Sequence, residues 1–274
     1  MRTFALIGAA GYIAPRHYQA IKNTDGVLTA ALDPHDSVGV LDSYFPKAHF
    51  FTEYERFERH LQKAPVDYFV VCTPNYLHDA HVRLGLSTGA SVICEKPLTV
   101  NARNARTLKG PVNVILQMRL HPSVQRIRDL LKPKDNDVFI EYTTPRGNWY
   151  DVSWKGDESK SGGIVYNIGI HMFDLCCYLF GDYVSTQTSV LNGREASGEV
   201  LFEKTRVRWQ LSVNGVVTSR RISVNGYEVD MTNGFTDLHE QSYRKIFKGE
   251  GWTVEDALPA IELAEEIRWS TKQQ

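Results

Sequence analysis

Through its first 117 residues the chain alternates short, continuously apolar runs with amphipathic helical segments. Strands are predicted at Thr3–Ile7, Val27–Leu32, Val66–Val71, Ser91–Cys94 and Val112–Leu116, and helices at Pro15–Asn23, Glu53–Gln62, Leu77–Thr88 and Asn101–Lys109. A strand that is apolar on both faces must be covered on both, and helices between successive strands supply that cover. The expectation is an α/β unit built on an open parallel sheet, which binds ligands beyond the carboxyl ends of its strands.

The second half reads differently. Helices are expected at Ser123–Leu131 and Ile164–Phe180, the latter stopped by Gly181. Strands follow at Tyr183–Leu191, Gly198–Glu203, Arg206–Val213, Val216–Val224 and Tyr227–Met231, then helices at Thr236–Lys248 and Val254–Ser270. Asn225-Gly226 is a strong two-residue hairpin signal, and Asn214-Gly215 and Asn192-Gly193 resemble it. This predicts an α+β domain with a large, mostly antiparallel sheet, and a division into residues 1–118 and 119–274.

A chain of 274 residues with 42% hydrophobic and 23% charged side chains has the composition of an ordinary globular enzyme. Its net charge of −1 offers no electrostatic footprint for nucleic acid or an anionic membrane, so neither is expected as a partner. Met1-Arg2 and the apolar stretch Phe4–Ala14 imitate a short signal peptide, but Gly8 and Gly11 interrupt it and a strand-turn-helix reading fits better. With no long apolar run and no paired C-x-x-C cysteines among Cys72, Cys94, Cys176 and Cys177, a cytoplasmic protein with buried free thiols is expected.

The first strand runs into Gly8-Ala9-Ala10-Gly11-Tyr12-Ile13-Ala14 and then a helix. Glycines at such a turn let the backbone approach a pyrophosphate, and the helix N-terminus offers free N–H groups to it. Asp33 ends the second strand, where a carboxylate can accept both adenosine-ribose hydroxyls and repel the 2′-phosphate of NADP, which favours NAD. Gly8, Ala10, Gly11, Tyr12, Ile13 and Asp33 are therefore candidate cofactor contacts. Thr73, Pro74 and Asn75 join them at the end of the third strand, and His78 follows on the next helix. His78 and His81 form an H-x-x-H pair without a third ligand nearby, so no metal site is expected.

Glu95-Lys96-Pro97 closes another strand at the same carboxyl edge, which places Glu95 and Lys96 beside the cofactor. His171 lies on an otherwise apolar helix with Asn167 four residues before it and Asp174 three residues after it. A lone histidine there is more often a core residue, whereas three polar groups on one helical face must meet a cavity or a partner. An ammonium and an imidazole are the pair needed to move a proton while a hydride leaves carbon.

Together the glycine-rich turn, the E-K-P tripeptide and the helix Gly162-Gly163-Ile164-Val165-Tyr166-Asn167-Ile168-Gly169-Ile170-His171-Met172-Phe173-Asp174 resemble the glucose-fructose oxidoreductase/inositol dehydrogenase/rhizopine catabolism (Gfo/Idh/MocA) family. That resemblance implies an N-terminal Rossmann domain, NAD as cofactor and Lys96 and His171 as the catalytic pair. Asn167 stands where most members carry an aspartate, and since an amide cannot accept the proton, base duty falls to His171 with Lys96 assisting. The stretches Arg146-Gly147-Asn148-Trp149-Tyr150, Ser153-Trp154-Lys155-Gly156-Asp157 and Gly234-Phe235-Thr236-Asp237-Leu238-His239 are similar to one branch, the UDP-N-acetyl-glucosaminuronate 3-dehydrogenases of bacterial surface-polysaccharide synthesis. For a substrate bearing a diphosphate and a carboxylate, Arg146, Lys155 and Arg119 are candidate cations, and Asn148, Tyr150, Trp154 and Asn167 are further candidate substrate contacts. The same resemblance implies a UDP-sugar acid as substrate and 2-oxoglutarate as reoxidant.

Two other readings stay open at this level: a dehydrogenase of a free sugar or inositol, and a non-catalytic NAD-dependent sensor. Retention of both Lys96 and His171 argues against a sensor, and the cationic segment argues against a neutral polyol. Trp209, Leu211 and Val213 alternate along one strand, and burial of that face against another subunit predicts a homodimer or homotetramer.

Overall fold

The computed structural model describes residues 1–36 and 38–270. In chain order the first elements are β1 (Arg2–Ile7), α1 (Ala14–Asn23), β2 (Gly26–Leu32), α2 (Gly39–Asp42), β3 (His49–Phe51), α3 (Tyr54–Lys63), β4 (Tyr68–Val71), α4 (His78–Ser87), β5 (Ser91–Cys94), α5 (Ala102–Thr107) and β6 (Val112–Val114). There follow α6 (Ser123–Leu130), β7 (Asn136–Thr143), α7 (Trp149–Val152), α8 (Glu158–Ser161) and α9 (Ile170–Phe180). The chain continues through β8 (Tyr183–Leu191), β9 (Glu195–Phe202), β10 (Thr205–Ser212), β11 (Ser219–Val224), β12 (Tyr227–Asp230), α10 (Leu238–Phe247) and α11 (Val254–Ser270).

Two compact units result. The first comprises Met1–Thr99, Arg103–Ile115 and Thr236–Asp256. Its six-stranded sheet has the order β3-β2-β1-β4-β5-β6, and every pairing in it is parallel. This is the doubly wound order, with its switch point between β1 and β4. Phe4 and Leu6 of β1, Val70 of β4 and Ile93 of β5 lie in the core with Tyr18 and Ile21 of α1. Tyr243 and Ile246 of α10 complete that core, so α10 belongs to the first unit although the sequence reading set it in residues 119–274. The cause is its buried aromatic side: Tyr243 is fully buried and stacks on Phe4 with ring centroids 6.0 Å apart.

Of the described residues, the second unit comprises Val100–Ala102, Leu116–Phe235 and 257–270. Its sheet has the order β12-β11-β7-β10-β9-β8. β7 runs parallel to β10 and the remaining pairings are antiparallel, so the sheet is mostly antiparallel as expected. β7 is the strand of this sheet that the sequence does not signal. Inserted between β10 and β11, it keeps those two strands from pairing, and Asn214-Gly215 is a connection to a more distant strand and not a tight hairpin. Asn225-Gly226 does close a hairpin, with both residues at positive φ (53° and 88°), as a primed turn requires.

Trp209, Leu211 and Val213 are buried within this unit. Phe173 of α9 meets Trp209 edge-on at 5.3 Å. Gly169 makes room for that approach, since a Cβ there would lie 2.6 Å from Phe173 and 2.7 Å from Leu211. The apolar stripe that suggested a subunit interface is thus filled by the chain's own helix. By length and composition the helical stretch Glu158–Phe180 would suit a membrane crossing, but its most apolar 18-residue window is 61% buried inside the fold, as befits a core helix.

Candidate active site

In the first unit the turn after β1 is shaped by Gly8. Its φ is +93°, and a Cβ there would lie 2.7 Å from the Cys72 carbonyl carbon and 2.8 Å from the Thr73 nitrogen. Only glycine permits both that conformation and that approach to the end of β4. The Gly8 and Ala9 N–H groups donate to Leu32 O (2.8 and 3.1 Å), which fastens the turn to β2. α1 then begins with no side-chain cap and no acidic residue in its first turn, so its N-terminus suits an anionic group. Gly11, Tyr12 and Ile13 all lie on this turn, with Tyr12 exposed. This open, uncapped cradle fits the pyrophosphate of a dinucleotide.

Asp33 follows β2 and is nearly buried. Its carboxylate accepts from the Ala10 N–H and the His35 N–H, both at 2.9 Å. Each oxygen keeps a further lone pair, so Asp33 can still accept a hydroxyl. The sequence reading missed that it also braces the glycine-rich turn.

After β4, Asn75 is buried and Thr73 Oγ1 lies 2.9 Å from His81 Nδ1. Burial of the His81 imidazole lowers its pKa to about 4, with His78 adding to the effect. His78 itself is sealed from solvent, with Nδ1 2.6 Å from Pro97 O and Nε2 2.8 Å from Thr73 O. That environment ties two loops together, which differs from the direct cofactor contact expected of it.

Glu95 and Lys96 follow β5, with Glu95 buried, Lys96 half-buried and the Lys96–Pro97 peptide cis. Glu95 Oε1 lies 3.1 Å from His17 Nε2 and 2.8 Å from His239 Nε2, while the Lys96 N–H donates to Glu95 Oε2 at 3.2 Å. Burial pushes the Glu95 carboxyl up, but the hydrogen bonds from His17 and His239 outweigh it and hold the group well below the usual range. Burial lowers the His17 pKa, against the opposing pull of Glu95. Among the described residues, this is the cluster whose His and carboxylate donors could hold a metal. Its two N···O distances are those of hydrogen bonds, shorter than the roughly 3.3 Å that separates ligand atoms around tetrahedral zinc.

The second unit holds the other candidate residues. Val165–Gly169 forms one wide π-helical turn that carries Asn167 and leads directly into α9, where His171 occupies the first turn. Asn167 Nδ2 donates to Tyr150 Oη at 3.5 Å, and the His171 ring lies 6.5 Å from that of Tyr142. Arg146 and Lys155 both approach the Trp149 ring, at 5.8 and 5.7 Å, and Lys155 also approaches Trp154. Burial lowers the Lys155 pKa, and neighbouring Arg146 lowers it further. Two cations close enough to repel one another suit an anionic ligand. Asn148 lies exposed just ahead of α7.

Arg119 is corrected as a substrate cation. It is buried and forked onto Asp174, with Nε to Oδ2 at 3.1 Å and Nη2 to Oδ1 at 2.7 Å. A buried guanidinium requires such a partner, and Asp174 is thereby explained as a structural anchor of α9. A residue that the sequence reading overlooked is Arg194, whose fork on Asp151 (3.2 and 2.8 Å) and bond to the Arg146 carbonyl organise the segment around Tyr150. Nothing in its Asn-Gly-Arg turn signals that role.

Comparison with known proteins agrees with this layout. Residues 2–111 match the GFO_IDH_MocA model, described as an oxidoreductase family with an NAD-binding Rossmann fold, and residues 132–256 match the C-terminal alpha/beta domain of the same family. The chain is 42% identical to the WlbA (WbpB) dehydrogenase of Thermus thermophilus, solved in complex with NAD and UDP-GlcNAcA, with 98% of this chain and 95% of that one covered and a TM-score of 0.94. The same figures hold for a second Thermus thermophilus WlbA structure, with NAD and alpha-ketoglutarate. An uncharacterized oxidoreductase of Streptococcus pneumoniae is 25% identical over 200 residues, covering 69% of this chain and 53% of its own length. The chain thus spans about half the length of that curated relative.

Proposed function

Because the chain belongs to the Gfo/Idh/MocA oxidoreductase family, we propose that it oxidises the C3 hydroxyl of a UDP-N-acetyl-hexosaminuronic acid to the 3-keto sugar, using NAD. The observation that carries this reading is the 42% identity, over 98% of the chain, to a dehydrogenase bound to NAD and UDP-GlcNAcA. Lys96, His171 and the paired cations Arg146 and Lys155 add chemical support. The pathway is that of a surface-polysaccharide sugar such as those of lipopolysaccharide. The setting is the cytoplasm, which suits four free thiols.

Bound NAD supplies the hydride acceptor. Gly8, Gly11 and the start of α1 hold its pyrophosphate, and Asp33 takes the adenosine ribose. His171 removes the hydroxyl proton as the C3 hydride departs, and the Lys96 ammonium hydrogen-bonds the same oxygen and stabilises charge developing on it. Asn167 and Tyr150 orient the sugar, while Arg146 and Lys155 receive its anionic groups.

The test is to mix the purified protein and NAD with UDP-N-acetylglucosaminuronate, inositol or glucose and follow NADH, then add 2-oxoglutarate as reoxidant and follow its reduction to the 2-hydroxy acid. Only the nucleotide-sugar acid is expected to give NADH, and turnover with inositol or glucose alone would replace the reading. Lys96→Met is expected to lower turnover by about 10²-fold with unchanged NAD affinity, and a rate near wild type would remove Lys96 from the chemistry. Self-association as a dimer or tetramer is also proposed, resting on Val184, Val190 and Leu201, which β8 and β9 leave exposed. A sedimentation coefficient that stays monomeric at every concentration would refute it.

A further inference from the structure

The Glu95-Lys96-Pro97 tripeptide is gripped by three buried histidines from three different helices. His17 of α1 and His239 of α10 meet the same Glu95 oxygen, at 3.1 and 2.8 Å. His78 of α4 reaches the Pro97 carbonyl at 2.6 Å. Between them, the Lys96 N–H donates to the second Glu95 oxygen at 3.2 Å. Tyr243, one turn beyond His239 on α10, places its hydroxyl 2.8 Å from His17 Nδ1.

One proton arrangement fits all of these contacts. Tyr243 O–H donates to His17 Nδ1, both His17 and His239 donate through Nε2–H to Glu95, and the carboxylate stays ionised. His17 is fully buried, and Glu95 and His239 are nearly so. A carboxylate in such surroundings is costly to bury unless its oxygens are hydrogen-bonded, and here two imidazole N–H groups reach Oε1 and the Lys96 N–H reaches Oε2. The resulting network is rigid because losing one donor leaves the carboxylate underpaired.

We propose that His17, His239 and His78 are positioning residues for the dehydrogenation. They clamp Glu95 and Pro97 so that the backbone of Lys96 is held in one place and its ammonium is delivered to the substrate oxygen in a fixed orientation. None of the three needs to touch substrate. The proposal rests on the dehydrogenase reading for its kinetic consequence, but its structural core concerns the Lys96 amide alone. Catalytic groups must be held within a fraction of an ångström, so a loosened lysine costs rate more than affinity.

The test uses the full chain with His239→Leu, which deletes the donor, and His239→Gln, whose amide nitrogen can occupy the place of Nε2. In His239→Leu, turnover of UDP-N-acetylglucosaminuronate is expected to fall at least about tenfold, with its KM and the NAD affinity within about twofold of wild type. His239→Gln is expected to recover most of that loss. Amide hydrogen exchange, read on the peptide covering residues 91–99, is expected to speed up at Lys96 in His239→Leu and to return toward wild type in His239→Gln. Unchanged exchange and unchanged kcat in His239→Leu would overturn the clamp, as would a Gln variant no better than Leu on either readout. Should wild-type protein give no NADH with the sugar acid, the functional reading fails while exchange at Lys96 still decides the clamp. If His239→Leu does not fold, His17→Gln, which moves the donor on the other side of Glu95, is read by the same two measurements.

Discussion

Replacing His171 with Asn is expected to lower turnover by about 10²–10⁴-fold, or roughly 3–5 kcal/mol of transition-state stabilisation, while NAD affinity stays within a factor of about two. The reasoning begins at Asn167. An amide cannot take a proton, so the imidazole one turn later on α9 is the base of the second unit in the proposed reaction. Asparagine at 171 keeps a polar side chain of similar bulk on the half-buried site and removes only the basic nitrogen. The pH profile separates this loss from a folding defect. Wild-type kcat/KM should fall on acidification, as a base does when it protonates, and the variant should lose that limb. A variant that keeps both its rate and its acid limb would assign the base elsewhere.

Arg119→Ala is expected to destabilise the fold by about 3–5 kcal/mol, because it strands a buried carboxylate. The side chains of Arg119 and Asp174 are only 5% and 3% exposed, and water cannot replace the lost guanidinium. Against a typical total of about 5–15 kcal/mol, that is a large fraction of the stability of the protein. The double variant Arg119→Met/Asp174→Leu should recover much of the loss, since an apolar pair of similar volume removes the charge as well as its partner. Urea unfolding midpoints of the three proteins check this, and a loss below about 1 kcal/mol in the single variant would contradict it. Because Asp174 lies three residues after His171 on α9, the single variant is also expected to slow turnover in the protein that remains folded.

Much of the first unit was legible because its strands are covered on both faces and read as mainly apolar runs, interrupted only by single residues such as Thr29 and Asn113. β1, β2, β4, β5 and β6 all stand out in this way. β3 escaped because His49-Phe50-Phe51 is a three-residue edge strand with no periodicity to detect. β7 escaped for a different reason. Val138, Ile140 and Tyr142 alternate inward as a strand should, but Phe139 breaks the pattern and Asn136-Asp137 give it a turn-like start. Its absence from the prediction concealed the parallel β7–β10 pairing.

The site divides along the same line. Lys96, His171 and the glycine-rich turn are visible because each carries a local signature. Arg119 was misassigned because nothing local reveals that Asp174 neutralises it across 55 residues. His17 and His239 form one cluster from opposite ends of the chain, and no spacing rule links them.

The place of α10 bears on how this protein emerges from the ribosome. Residues 1–115 contain every strand of the parallel sheet, yet the core of that unit also requires Tyr243 and Ile246. Until those residues have been synthesised, Phe4 lacks one of its ring partners and Glu95 lacks the imidazole of His239. N-terminal domains usually fold first during translation, but here α10 can pack into the core of the first unit only after nearly the entire second unit has been made. The polypeptide that appears first, Lys96 included, therefore completes its core only with residues made near the end of the chain.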